Sequence, residues 1–114
     1  MTQIIHLADF RRPNGRRVYF NRSELTHLLQ LYSTRVARGE WRDYAIDHTP
    51  GAALFSVFRH SFDKPLFAVA KYPGSGNRAV EYALVVGRRK VRRAGTLAEL
   101  IEAFERAPHI VTDG

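Results

Sequence analysis

Apolar and polar positions follow two rhythms along this chain, and the switch between them marks out the elements. Leu25, Leu28, Leu29, Tyr32 and Val36 recur at helical spacing, so they predict a buried stripe on a helix over 22–38. Asn21 stands where an N-cap belongs and Glu24 at the third helical position, and Phe20 and Leu25 are placed for a hydrophobic staple. Gly39 suits the left-handed residue just past the end, and Arg35 and Arg38 fall in the last turn, where the helix dipole favours cations.

From Trp41 the period drops to two. Strands are predicted near 43–48, 53–60, 66–72, 79–86 and 89–93. Tyr44 and Ile46 share one side of the first, and Phe55 and Val57 oppose Leu54 and Phe58 on the second. Thr49-Pro50-Gly51-Ala52, Ser61 to Pro65 and Pro73 to Arg78 are the turns and loops between them, the last read as flexible. Gly87-Arg88 fits a two-residue type II′ hairpin loop. Strict alternation then sets Val86 against Arg89, Leu84 against Val91 and Tyr82 against Arg93. The core face would hold Tyr82, Leu84, Val86 and Val91. The water face would hold Ala83, Val85, Lys90 and Arg92, with Glu81 near Arg92.

Gly95 ends the last strand, and Thr96-Leu97-Ala98-Glu99 has the form of a capping box. Leu97, Leu100, Ile101 and Phe104 give the following helix, 97–107, an apolar stripe, and Pro108 stops it. Short connections favour strands pairing in sequence order. The expectation is an α+β single domain over 18–107: an antiparallel meander of about five strands with one helix before it and one after it, both packed on the sheet. Residues 1–17 form a basic N-terminal arm and 108–114 a short tail.

A chain of 114 residues is long enough for one such core without staples, and it has no cysteine, hence no disulfide and no thiolate zinc site. That suits a reducing cytoplasm. The N-terminal MTQIIHLADF lacks the basic and apolar regions of a secretory leader, and no apolar run approaches the length of a membrane span.

Charge changes the picture more. The net charge is +7, and it is local. Arg11, Arg12, Arg16 and Arg17 form one cluster; Arg88, Arg89, Lys90, Arg92 and Arg93 form another. Those nine are half of the 18 Lys+Arg, and the other nine face 11 Asp+Glu, so the remainder of the chain is about −2. Eight of the nine are arginine, which suits bidentate pairing to phosphate or carboxylate. Folding 11–17 into a tight hairpin at Asn14-Gly15 would set Arg12 against Arg17. This segment is therefore either a mobile arm or a loop that orders on an anion. Two partners fit the clusters: DNA or RNA, gripped through phosphates, or an acidic or phosphorylated protein. Tyr72, Tyr82 or Phe62 could stack bases if exposed, although core positions suit them. The bland alternative is that the last strand is an edge, where basic residues guard against sheet-to-sheet pairing.

No catalytic motif is present. His6, His27, His48, His60 and His109 show no metal-ligand spacing. Pro73 to Arg78 lacks the Lys-Ser/Thr ending of a P-loop and no helix follows it. Asp43 and Asp47 share a strand face without forming an acid–base pair, and Ser75 sits in no nucleophile elbow. No cofactor is implied.

The strings FNRSELTHLLQLYSTRVARGEWRDYAID and AVEYALVVGRRKVRRAGTLAELIEAF resemble a family of small bacterial proteins, mostly alphaproteobacterial, known only as a domain of unknown function. The resemblance covers about 17–106. It implies a bacterial cytoplasmic protein and brings no activity and no catalytic residues.

Overall fold

The computed structural model describes residues 17–60 and 64–107. Two helices and five strands follow in the order α1 (Arg22–Ala37), β1 (Asp43–His48), β2 (Ala53–Phe58), β3 (Phe67–Tyr72), β4 (Glu81–Val86), β5 (Arg89–Ala94) and α2 (Leu97–Arg106). The strands form one antiparallel sheet in sequence order, so β1 and β5 are its edges. This is the expected α+β meander, with each element within about two residues of its sequence boundary.

Both helices pack on the same face of the sheet. Leu28 and Leu31 of α1 and Leu97, Leu100 and Phe104 of α2 join Phe55, Val57, Phe67, Val69 and Leu84 in one core. Phe104 stacks on Phe67, and Trp41 meets both rings. The connection after α1 closes with Gly39 at φ +77°; the Gly39 N–H donates to the Val36 carbonyl and the Glu40 N–H to the Arg35 carbonyl, which satisfies two of the helix's last carbonyls.

The buried stripe of α1 differs from the predicted one. Its buried residues are Glu24, Leu28, Leu31 and Arg35, spaced i, i+4, i+7, i+11. Leu25, Leu29 and Tyr32 flank that line, and Val36 is exposed. The apolar pattern alone points to a face rotated from the true one because the stripe begins in a carboxylate and ends in a guanidinium. Both caps form. Asn21 and Glu24 exchange both hydrogen bonds of a capping box at 2.8 Å. At α2, Thr96 accepts from the Glu99 N–H, but the Glu99 side chain takes the Gly95 N–H, one residue earlier than the box requires.

The β4–β5 register is corrected as well. Val86 lies opposite Arg89 and Val85 opposite Lys90, as expected; then a bulge intervenes, and Leu84 faces Arg92, Ala83 faces Arg93 and Tyr82 faces Ala94. Val91 is the extra residue. Uninterrupted pairing would have set Arg93 beside Tyr82 on the core face. The bulge turns Arg93 outward and brings Ala94 inward, where it packs on the core. Glu81 consequently meets Arg93 and Lys90, and Arg92 lies elsewhere. The Pro73–Arg78 connection closes tightly: the Arg78 N–H donates to the Ser75 carbonyl at 2.8 Å, and a Cβ on Gly74 would sit 2.3 Å from the Arg78 carbonyl oxygen.

Candidate functional site

The charge cluster of β5 is presented by a glycine-built turn. Gly87 has φ +65°, which a side chain rarely adopts, so the chain reverses there and lifts Arg88 and Arg89 to the hairpin tip. Because β5 is an edge strand, its side chains are flanked by sheet on one side only. All five cations are exposed.

They fall into two groups. Lys90 and Arg93 lie on the sheet face away from the helices, and they share one carboxylate. The Lys90 Nζ is 3.6 Å from Glu81, and the Arg93 Nε is 3.8 Å from it. Lys90 Nζ also stands 4.1 Å from the centre of the Tyr72 ring. Arg88, Arg89 and Arg92 form the second group. Among the described residues they have no carboxylate within ion-pair distance. The bulge at Val91 places Arg92 over a groove between β5 and α2, beside Arg106, Glu99 and Glu102. Glu102 is matched with Arg106 at 3.5 Å, and Glu99 accepts the Gly95 N–H. Five cations on the strand and its turn thus meet one directly paired carboxylate, Glu81.

Of the N-terminal cluster, Arg11, Arg12 and Arg16 lie outside the described residues. Arg17 is attached to the fold: its Nη1 donates to the His48 carbonyl at 2.6 Å, beside the Val18 N–H on the Thr49 carbonyl. Phe62 and His109 also lie outside the described residues, as do His6 and the tail.

Two buried charges escaped the sequence reading. Glu24 accepts from Tyr82 Oη, from Lys71 Nζ at 2.9 Å and from the Asn21 N–H. Burial alone would raise its carboxyl pKa, but the hydrogen bonds from Tyr82, Lys71 and Asn21 outweigh that and hold it below the ordinary value. Burial and the bond to Glu24 push the Tyr82 phenol up to about 12. Lys71 also donates to the Tyr19 carbonyl at 2.8 Å. Arg35 pairs with Glu40 at 2.9 Å and Glu105 at 3.7 Å, and its guanidinium lies over Phe104 and Trp41. Each of these charges is matched by partners within the fold. The i+4 step from Glu24 to Leu28 and the i+4 step from Leu31 to Arg35 were visible in the sequence, but charged ends do not register in an apolar pattern.

His48 is half-buried against Tyr19, with ring centres 4.5 Å apart, and its Nε2 has no hydrogen-bond partner among the described residues. Burial lowers its pKa, so it is neutral near pH 7. It sits at the β1–β2 turn, whereas His60 follows the opposite end of β2. Among the described residues no three His, Asp or Glu side chains converge as a metal site, and no helix is long and apolar enough to cross a membrane.

The molecule is therefore a small α+β domain with an under-neutralised basic edge. It belongs to the family described as protein of unknown function (DUF2794), whose model matches residues 18–101. No curated protein and no solved structure matches the chain.

Proposed function

We propose that this protein binds polyanions, with nucleic-acid phosphates as the foremost partner, through the β5 hairpin. What supports this is that, among the described residues, no carboxylate lies within ion-pair distance of Arg88, Arg89 or Arg92, although Glu99 and Glu102 line the same groove as Arg92. An arginine kept for stability would gain by pairing within the fold, as Arg35 does. Three unpaired guanidinium groups on one edge carry a field that attracts phosphate. Lys90 and Arg93 add to it once Glu81 is displaced. Arg11, Arg12, Arg16 and Arg17 supply further positive charge from the N-terminal side. Contacts of this kind grip backbone phosphates and carry little base preference. The role is one of binding, without catalysis, in a bacterial cytoplasm.

A second reading has an observation of its own. β5 is an edge strand, and its outer hydrogen-bonding groups could take an extended segment of an acidic or phosphorylated protein. A mobility shift with mixed-sequence DNA and RNA at two salt concentrations separates the two. Nucleic-acid binding gives shifts at low salt that weaken steeply at the higher one. The absence of any shift at low salt would contradict the polyanion role and leave the peptide reading.

A further inference from the structure

We infer that the face of the sheet opposite the helices takes unpaired bases, with Tyr72 as the stacking platform, so that single-stranded nucleic acid is the preferred form. This deepens the polyanion role above and rests on it. Strand alternation puts Leu54, Ser56, Ala68, Tyr72 and Val85, all partly exposed, on this face around the buried Ala70 and Ala83, and the core contacts of α1 and α2 are all on the other. Tyr72, on β3, is the aromatic residue here that a side chain of the basic strand reaches, Lys90 extending to it across β4. Phe58 stands at the far end of β2.

The π face of Tyr72 is held by a group that can leave. Lys90 Nζ stands 4.1 Å from the ring centre, on a side chain that is one-third exposed. An exposed cation–π contact is weaker than base stacking on the same ring, so a base arriving here displaces the ammonium at net gain. The displaced Lys90 keeps its charge and can reach the phosphate beside that base. Arg93, on the same face, is the next cation along the strand. Among the described residues Glu81 is the acidic group paired in this cluster, half-exposed between Lys90 and Arg93, and it opposes an incoming phosphate until they release it. A duplex keeps its base faces stacked on one another, so it can use the arginines but not the ring.

The test is fluorescence anisotropy with three probes: a labelled single-stranded oligonucleotide, the same sequence as a duplex, and inorganic polyphosphate by competition. Tyr72→Leu should weaken single-strand binding about tenfold and leave polyphosphate and duplex unchanged, with Tyr72→Phe behaving as wild type. Equal single-strand affinity in Tyr72→Leu and wild type would overturn the stacking role while the polyanion role stands. An equal loss in Tyr72→Phe would also overturn it, since the ring would be retained. If wild type binds none of the three probes, the polyanion role itself fails. A readout that needs no variant is the ring NMR signals of labelled tyrosine in the wild-type protein. Upfield shifts of Tyr72 on adding single strand, and none with polyphosphate, are expected; no shift with single strand would contradict stacking.

Discussion

Arg35 and Arg92 are both arginines beside the acidic helix α2, and they end in opposite circumstances. Arg35 is buried to 7% exposure, paired with Glu40 and Glu105, and covered by two aromatic rings. Arg92 is exposed and, among the described residues, has no carboxylate within ion-pair distance. The difference is in how the backbone aims them. The α1 stripe carries Arg35 into the core, where only a fully satisfied charge is tolerated. The Val91 bulge throws Arg92 onto the rim, where water satisfies it and no internal partner is needed. A charge with its own partners stabilises the fold; a charge left to water is available to something else.

Disrupting the buried side of this contrast should have the largest effect. Glu24→Ala strands Lys71 and Tyr82 and should cost about 3 kcal/mol in urea unfolding, without altering polyphosphate binding by the folded protein. Arg35→Ala removes the ion pairs and the packing on Phe104 and Trp41, at about 2 kcal/mol.

Stability should also fall at both ends of the pH scale. The Glu24 carboxyl is held below its ordinary 4.5, so its contribution is complete above that value and is lost as pH falls below it through the lower value of the folded protein. The Tyr82 phenol is pushed from 10 up to about 12, so its share is complete below pH 10 and is lost as pH rises toward 12. Thermal melts across pH should show both losses, and Tyr82→Phe should remove the alkaline one.

On the exposed side the effects on stability shrink. Gly87→Ala forces a side chain into positive φ with open space around it, at about 1 kcal/mol. Glu81→Gln should be nearly neutral in a melt, since half-exposed ion pairs contribute less than about 1 kcal/mol, yet should tighten polyanion binding by freeing Lys90 and Arg93.

Much of the fold was legible because local signals agreed with one another. Asn21 with Glu24, Gly39, Gly87-Arg88 and Thr96 each punctuate a run whose period is already clear. What could not be read arises from contacts distant in sequence. Glu24 meets Lys71 and Tyr82 across the sheet, and nothing near Glu24 announces them. The bulge at Val91 has no glycine to mark it. It exists because Tyr82 needs Ala94 rather than Arg93 opposite, a condition set by the core. The candidate site was legible as a run of charge, but that Arg93 rather than Arg92 meets Glu81 depends on that same bulge.

The most direct check compares the salt dependence of single-strand binding for wild type and for the triple variant R88Q/R89Q/R92Q. Melting should change by less than about 0.5 kcal/mol. The slope of log affinity against log salt should become shallower by about 2 to 3. An unchanged slope in the folded triple variant would contradict the assignment of these three arginines as the polyanion contact, and a variant that fails to fold would contradict the claim that they are left over from the fold's own stabilisation.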